Sequence, residues 1–193
     1  MVIFINMETI KKLLREALLK EENRKNKYGC VMVYFDYDQK DWDKLQDIIE
    51  EEDLYDPKED PSFGREHEPH ATILFGLHND IEDDEIIEKI KELKEPKIKI
   101  GKISHFENKL YDVIKFDLES EDLVAANKVF TKMPHTTDFP NYHPHSTIAY
   151  VKPNKFKKYS KELNELEPIK FTVSKFVYSK SDGTKKYVDI KKN

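Results

Sequence analysis

The chain of 193 residues has few of the residue types on which several large protein classes depend. Its single cysteine, Cys30, excludes a disulfide framework and any zinc site that is built on several cysteines. No apolar run approaches the roughly 18 residues that a membrane-spanning helix needs. The N-terminus carries charged residues where a signal peptide would have an apolar core. We therefore expect a soluble protein of a reducing compartment.

Glycine is scarce as well, with five residues of which no two lie within ten positions of each other. Phosphate-binding loops and dinucleotide fingerprints need clustered glycines, because only then can backbone N–H groups approach the phosphate closely. The G-x-S-x-G and H-E-x-x-H motifs are also absent. If this protein binds phosphate, it must therefore do so with side chains.

Positive charge is limited, since 33 basic residues face 38 acidic residues and the net charge is −5. This balance argues against a partner of long nucleic acid, whose binding depends on paired basic charge. The distribution is uneven, because residues 152–193 hold 12 lysines and five acidic residues. A solvated, lysine-rich hairpin is the favoured interpretation of that segment, with a nucleic-acid groove as the alternative. The 11 Phe and 10 Tyr residues predict a folded core.

Hydrophobic periodicity predicts alternating strands and helices along most of the chain. Strands are expected at 28–35, 70–77, 97–104, 109–117, 144–152, 169–180 and 184–190. Amphipathic helices are expected at 7–22, 83–93, 120–132 and 155–165. A further helix is expected to begin at a capping Asp41 and to bury Trp42, Leu45, Ile48 and Ile49. Residues 50–69 show no periodicity and predict a long acidic loop, and Asp182-Gly183 predicts a tight hairpin turn.

One heptad occurs twice, 75 residues apart. Residues 70–76 read H-A-T-I-L-F-G, and residues 145–151 read H-S-T-I-A-Y-V. Histidine, threonine and isoleucine recur at the same offsets, an aromatic residue takes the sixth place, and a proline precedes each copy. Two matched heptads, each within a predicted strand, are a far more specific signal than an isolated H-x-T tripeptide.

Strand geometry explains the spacing within each copy. Side chains alternate between the two faces of a strand, so His70 and Thr72 share one face while apolar residues take the other. His145 and Thr147 share a face in the same way. An approximate two-fold relation between the two strands would bring both His/Thr pairs into one cleft.

Such a set of groups is suited to cleavage of a phosphodiester. One neutral imidazole can accept a proton from the attacking oxygen while the other, as imidazolium, donates a proton to the leaving oxygen. The threonine hydroxyls can donate to the non-bridging oxygens, where charge accumulates in the transition state. We therefore predict His70, Thr72, His145 and Thr147 as the catalytic residues, with no metal and no cofactor.

The paired motifs resemble those of the 2H phosphoesterase superfamily, whose members carry two H-x-[ST] motifs. The segments E-P-H-A-T-I-L-F-G-L-H (68–78), H-F-E-N-K-L-Y-D-V-I-K-F (105–116) and Y-H-P-H-S-T-I-A-Y-V (142–151) are similar to phage-encoded members. Those members cut the cyclic nucleotide signals of bacterial anti-phage (CBASS) defence. The resemblance implies a small cyclic nucleotide as substrate, a cytoplasmic location (the host cytoplasm if the protein is viral), and catalysis without a metal.

The same resemblance implies an α+β, bilobal fold. Two pseudo-symmetric antiparallel sheets would carry helices on the outside and enclose a central cleft. Residues 1–27 would form an N-terminal helical extension, and residues 28–193 the two-lobed domain. Candidate substrate-binding residues are three aromatic residues and one lysine: Tyr28, Phe106, Tyr142 and Lys152. The aromatic rings would stack on bases, and Lys152, just after the second motif, would approach phosphate.

Three alternatives remain open from the sequence. The first is a 2′,3′-cyclic phosphodiesterase that acts on RNA ends. The second is a zinc-dependent hydrolase, with the metal held by His67, His70, His143 and His145. The third is a non-catalytic protein that binds a cyclic nucleotide without cleaving it.

Overall fold

Seven strands form two antiparallel sheets in the computed structural model, which describes residues 28–56, 60, 62–139 and 141–190. The predicted helix at 7–22, and with it the predicted extension at 1–27, lies outside the described residues. The strands are β1 (Tyr28–Asp36), β2 (His70–His78), β3 (Lys99–Glu107), β4 (Asp112–Glu119), β5 (His145–Val151), β6 (Thr172–Ser179) and β7 (Lys185–Asp189). The helices are α1 (Gln39–Asp47), α2 (Asp83–Glu92), α3 (Glu121–Phe130) and α4 (Phe156–Glu165).

The strand orders confirm the predicted α+β fold with two related lobes. The first sheet has the order β2-β1-β6-β7 and the second has the order β3-β4-β5. Each motif strand lies at the edge of its sheet, where it pairs with one antiparallel neighbour, β1 for β2 and β4 for β5. The units β2-β1-β6 and β5-β4-β3 therefore correspond, and β7 is an additional strand on the first lobe.

The two faces of β1 have different partners. Val31, Val33 and Phe35 belong to the main core, which is continuous through both lobes. Met32 and Tyr34 point to the opposite face, where they pack with Val177 of β6 in a second, smaller cluster. This alternation follows from the period of two along a strand, and it leaves the second face of the first sheet available for a site.

Helix α1 begins earlier than the sequence predicts. Asp38, and not Asp41, is the N-cap, because its side chain accepts hydrogen bonds from the backbone N–H groups of Lys40 and Asp41. Both aspartates are acceptable caps by residue type, and only the extended backbone at Asp38 decides between them. The predicted inward face is otherwise confirmed, since Trp42 and Leu45 are buried.

The segment at 50–69 is a long loop, as its lack of periodicity predicts, but parts of it pair with the second sheet. It contains a short 3₁₀ helix (Glu51–Asp53) and two bridges to β5, one from Leu54 to Val151 and one from Arg65 to Ala149. The free edge of β5 presents backbone groups that need partners, and this segment supplies them. Residues 57–59 and 61 lie outside the described part of the chain.

The end of β2 is held by the segment that follows α3. Leu77 forms a bridge to His135, and the backbone N–H of Thr136 donates to the carbonyl of Gly76 at 2.9 Å. Gly76 has a φ of +109°, and a Cβ placed there would lie 1.9 Å from the Thr136 carbonyl oxygen. Glycine is therefore required at this position by backbone conformation and by space.

The helices among the described residues include none that is both long enough and apolar enough to cross a membrane.

Candidate active site

Both motif histidines are the first residues of their strands, and both are partly exposed. Later residues of the same strands that face the other way are fully buried in the core, among them Ala71, Ile73 and Ile148. The parity predicted from the sequence is therefore observed, with the imidazoles directed away from the core. Thr147 is only 9% exposed.

The structure brings the two motifs together. The Tyr142 hydroxyl, three residues before β5, donates a hydrogen bond of 2.9 Å to the carbonyl of Thr72 on β2. Strands β2 and β5 also contact each other directly. The two strand edges therefore border a common cleft, as the two-fold relation predicts.

Each imidazole is oriented by a backbone carbonyl two residues upstream. Nδ1 of His70 lies 2.8 Å from the Glu68 carbonyl oxygen, and Nδ1 of His145 lies 2.7 Å from the His143 carbonyl oxygen. A carbonyl oxygen only accepts, so Nδ1 must carry the hydrogen in both rings. Nε2 is then an acceptor in the neutral ring and a donor in the protonated ring. It is therefore the atom that can accept or donate a proton in acid–base catalysis.

The two rings differ in their aromatic and charged neighbours. Tyr34 stacks on His70 with ring centroids 5.5 Å apart, and a Glu66 carboxylate oxygen lies 3.8 Å from Nδ1 of His70. Phe106 meets His145 edge to face, with centroids 4.9 Å apart. His70 thus has a carboxylate beside it, and among the charged groups that act on His145 the ammonium of Lys115 has the largest effect.

The pKa of His145 lies below its ordinary value. Burial is the largest cause, because it disfavours the charged ring. The hydrogen bond to the His143 carbonyl and the charge of Asp117 oppose the shift, while the charges of Lys115 and His70 increase it. His145 is therefore neutral at neutral pH and has the protonation state of a general base.

On the His145 side of the cleft, the sequence reasoning missed three residues: Ser104, Lys115 and Asp117. Lys115 is only 4% exposed, although it carries a charge. Its ammonium donates to Ser104 Oγ at 2.7 Å and to the Asp117 carboxylate, and it lies 4.2 Å from the centroid of the Phe106 ring. In the β4–β5 register Lys115 pairs with Thr147, and Asp117 pairs with His145.

Strand parity places Lys115 and Asp117 on one face of β4, and this signal is readable from the sequence. The register that sets them beside Thr147 and His145 is not, because it contains an irregularity between Ile114 and Lys115. The buried lysine of the site therefore becomes visible only in the structure.

On the other side of the cleft, Tyr34 belongs to a second polar group. Its hydroxyl contacts a Glu68 carboxylate oxygen at 3.4 Å, and Lys185 donates to the same oxygen at 2.5 Å. The Lys185 ammonium also lies 5.4 Å from the Tyr34 ring centroid. The Lys185 hydrogen bond lowers the pKa of Glu68, which is therefore ionised at neutral pH. These contacts fix the ring that stacks on His70.

Two of the four predicted substrate-binding residues lie at the cleft. Phe106 contacts the His145 ring, and Tyr142 holds the Thr72 carbonyl. Burial raises the pKa of the Tyr142 hydroxyl, so that it remains a neutral donor. Their contacts with a base stay a prediction.

The other two lie elsewhere, and their assignment is corrected here. Tyr28 pairs with His78 and packs against Phe75 at the end of β2 opposite His70, about 25 Å away at the rise of an extended strand. Lys152 lies beyond the far end of β5 from His145, where its ammonium donates to the Glu52 carbonyl. The assignment was wrong, because Lys152 is seven residues after His145 and an odd offset places it on the opposite face. The length of the strand also carries it out of the site.

The described residues contain no group of three or more His, Cys, Asp or Glu side chains arranged to hold a metal ion. Of the histidines considered for zinc, His67 and His143 contribute backbone carbonyls, which accept from the Tyr37 hydroxyl and from the His145 ring.

A comparison with known families gives one assignment for this arrangement. The profile described as "2'-5' RNA ligase superfamily" matches residues 35–185, a range that includes both motifs and every strand of both sheets, β1 and β7 in part. The chain belongs to the 2′-5′ RNA ligase superfamily. Its membership in this superfamily supports the predicted class of enzyme, a phosphodiester hydrolase.

Solved structures support the fold of this superfamily member. The structure of Kluyveromyces marxianus Usb1 aligns with a TM-score of 0.55 at 10% identity, covering 86% of this chain and 99% of that one. Usb1 from the same organism with uridine monophosphate aligns with a TM-score of 0.54 at 10% identity, covering 86% and 100%. At this identity the likeness extends to the fold alone. A search of curated protein sequences gave no significant match.

Proposed function

We propose that this protein is a metal-independent phosphodiesterase that cleaves small nucleotides by acid–base catalysis between His70 and His145. The observation that carries the proposal is the matched pair of carbonyl-oriented imidazoles at the first positions of two edge strands. His145, whose pKa is lowered, acts as the base. His70, which has the Glu66 carboxylate beside it, acts as the acid.

With a ribose phosphodiester, the first step is a transesterification. His145 Nε2 takes the proton of the 2′-hydroxyl, the O2′–P bond forms, the bond from phosphorus to the leaving O5′ breaks, and His70 protonates that oxygen. The products are a 2′,3′-cyclic phosphate and a free 5′-hydroxyl. After this step His145 is protonated and His70 is neutral. Water then opens the cyclic phosphate with the two roles reversed, His70 acting as the base and His145 as the acid.

Two threonines complete the proposed catalytic set. Thr72 and Thr147 lie two residues after the histidines and on the same faces of the strands, where their hydroxyls can donate to the non-bridging phosphoryl oxygens. Lys115 places a buried positive charge next to Thr147 in the register, and this charge favours the binding of an anion at that side of the cleft.

The substrate we propose is a cyclic oligonucleotide signal, and the biological role is viral evasion of antiviral defence that uses such signals. Support comes from the likeness of three segments to phage-encoded 2H enzymes and from a site that grips phosphate without a glycine loop. The excess of acidic residues also disfavours long nucleic acid as the substrate.

A second candidate is cleavage of 2′,3′-cyclic phosphates at RNA ends. It is favoured by the superfamily's description as RNA ligases and by the fold's likeness to an enzyme structure solved with uridine monophosphate.

Turnover measurements separate these candidates. We expect cyclic di- and trinucleotides to be hydrolysed with higher kcat/KM than RNA that ends in a 2′,3′-cyclic phosphate, and the reverse order would favour the second candidate. Full activity should persist after exhaustive EDTA treatment, whereas loss of activity that zinc restores would establish the metal alternative. Recovery of intact ligand from every reaction would show a binding protein instead of an enzyme.

A further inference from the structure

A second surface lies on the same face of the first sheet as His70 and Thr72. The register places Tyr34 of β1 and Lys175 of β6 in line with His70. It places Met32 of β1, Val177 of β6 and Tyr187 of β7 in line with Thr72. We refer to Lys175, Val177 and Tyr187 as the outer platform.

The outer platform combines an exposed aromatic ring with a cation. Tyr187 is 56% exposed, and the Lys175 ammonium lies 4.9 Å from the centroid of its ring. Within the described part of the chain, no carboxylate lies within salt-bridge distance of Lys175. Val177, between them on β6, is fully buried and forms an apolar floor with Met32 and Tyr34.

The outer platform has no counterpart in the second lobe. Tyr187 belongs to β7, the strand that the first sheet has in addition to the three-strand unit. The added strand extends the cleft face laterally from the catalytic edge, and among the described residues no other strand lies beyond it. The outer platform therefore lies on the same sheet face as His70 and Thr72 and is continuous with the site.

The spacing of strands sets the reach of this surface. Neighbouring strands lie about 4.8 Å apart, so the backbone of Lys175 is about 10 Å from that of His70, and Tyr187 is about 14 Å from Thr72. A mononucleotide whose phosphate lies between the two histidines does not reach that far. The next nucleotide of a linked pair does, with its base and phosphate over the platform.

We infer that the outer platform binds the second nucleoside and phosphate of the substrate, by stacking of a base on Tyr187 and pairing of a phosphate with Lys175. The enzyme then prefers substrates of two or more linked nucleotides over mononucleotides. The inference rests on the proposed function, since it takes the phosphodiester between His70 and His145 as the reference point. Aromatic stacking suits this role because every base has a π-face, and a lysine binds phosphate as a point charge.

The test compares kcat/KM on a 3′,3′-cyclic dinucleotide, on a linear RNA dinucleotide, and on a 2′,3′-cyclic mononucleotide. For Tyr187→Ala we expect the ratio of dinucleotide to mononucleotide kcat/KM to fall about tenfold, the usual value of one stacked base. Tyr187→Phe should keep the ratio, and Lys175→Gln should lower it several-fold. The two dinucleotides show whether a cyclic signal or an RNA strand occupies the platform.

Lys161→Gln, on the exposed surface of α4, serves as the control for loss of a lysine. An unchanged ratio in both Tyr187→Ala and Lys175→Gln, with wild-type turnover intact, would overturn the inference while leaving the proposed function standing.

If the wild-type protein hydrolyses none of the three substrates, the proposed function fails and calorimetry still decides the inference. Binding of the cyclic dinucleotide by His145→Ala is then compared with binding by His145→Ala/Tyr187→Ala. A tenfold weaker Kd in the double variant supports the platform, and equal Kd values contradict it.

Discussion

At the scale of single residues, the site depends on two imidazoles with the same hydrogen-bond geometry and different charged neighbours. Both rings give Nδ1–H to a carbonyl oxygen. Glu66 lies beside His70, while Lys115 acts on His145. This difference breaks the symmetry of the repeat, and the proposed roles of His70 as acid and His145 as base rest on it, although the two residues are interchangeable in the sequence.

Removal of either imidazole should abolish most of the turnover. For His70→Ala and for His145→Ala we expect kcat to fall about 10²–10⁴-fold, the usual contribution of a general acid or base. Both side chains are partly exposed at the cleft, so circular dichroism and urea unfolding should show a retained fold. Near-normal kcat in either folded variant would contradict the two-histidine mechanism.

Lys115 should control the acid limb of the pH profile. His145 is active as a base only when it is neutral, and its lowered pKa places that limb below the unperturbed value of about 6.5. In Lys115→Met a cation that lowers the pKa of His145 is lost, and Asp117, which raises that pKa, loses its ion pair with the lysine. The limb of kcat/KM should therefore move to higher pH.

The measurement is kcat/KM between pH 4.5 and 8.5, and the observed values belong to the coupled pair of histidines. Lys99→Met is the matched control, because Lys99 is an exposed lysine of the same sheet that pairs with Glu119. An acid limb that stays in place in Lys115→Met, or moves to lower pH, would show that this charge does not act on the base.

The His/Thr pairs could be predicted from the sequence because they depend only on spacing along one strand. The alternation of side chains along a strand is a local property, and both copies of the heptad show it. The contacts of Lys115 and Tyr34 depend on which residues of neighbouring strands face each other. That register is set by irregularities between Ile114 and Lys115 and along β1, which leave no mark in the sequence.

At the scale of elements, the strands and helices were predicted well where they carry regular apolar spacing. The segment at 50–69 was predicted as a long loop, but its pairing with the second sheet was not predicted, because its structure is not periodic. Its backbone pairs with the edge of β5, and the Trp42 and Gln46 side chains of α1 both donate to the Glu66 carbonyl. A segment whose order comes from its neighbours has no local signal of its own.

Gly76 marks the point at which β2 and the 134–136 segment approach most closely. Alanine there needs a positive φ and places Cβ 1.9 Å from the Thr136 carbonyl oxygen. Backbone strain of this kind costs about 1–3 kcal/mol, and the clash adds the cost of displacing the segment. We expect Gly76→Ala to lower the free energy of unfolding by more than that strain alone, as measured in urea.

Gly183→Ala separates the two contributions. Gly183 has a φ of +85° in the β6–β7 turn, and a Cβ there meets nothing within 4 Å. This variant should therefore show the strain without the clash. Equal losses of unfolding free energy in the two variants would mean that the contact with Thr136 contributes nothing.

At the scale of the whole molecule, each sheet is held to the segments beside it by groups that come from distant parts of the chain. Asp53, in the 3₁₀ helix after α1, is buried and accepts from Lys158 and the Tyr159 hydroxyl of α4, and Lys155 lies 2.7 Å from it. On the cleft side Lys185 of the last strand reaches Glu68, next to His70. The resemblance to the superfamily predicts two lobes with a cleft, but it does not predict these hydrogen bonds and ion pairs.

The tie at Asp53 should make stability depend on pH. Hydrogen bonds from Lys155, Tyr159 and Lys158 hold the pKa of this carboxyl well below its ordinary value, against the opposing effect of burial. The folded state therefore binds the proton more weakly than the unfolded state. The stabilisation is complete above the unfolded pKa of about 3.9, and it is lost as the pH falls through the folded pKa.

Asp53→Asn keeps the size of the side chain and removes its charge. We expect a loss of about 1–3 kcal/mol in the free energy of unfolding at pH 7, typical of a hydrogen bond to a charged group. The difference between wild type and variant should be constant down to about pH 5 and shrink below pH 4, because the wild-type carboxyl then gains its proton on unfolding. Glu165→Gln, at an exposed carboxylate 3.8 Å from Lys161, should have no measurable effect at any pH. A difference for Asp53→Asn that does not change between pH 7 and pH 3 would show that the carboxyl acts through its shape and not through its charge.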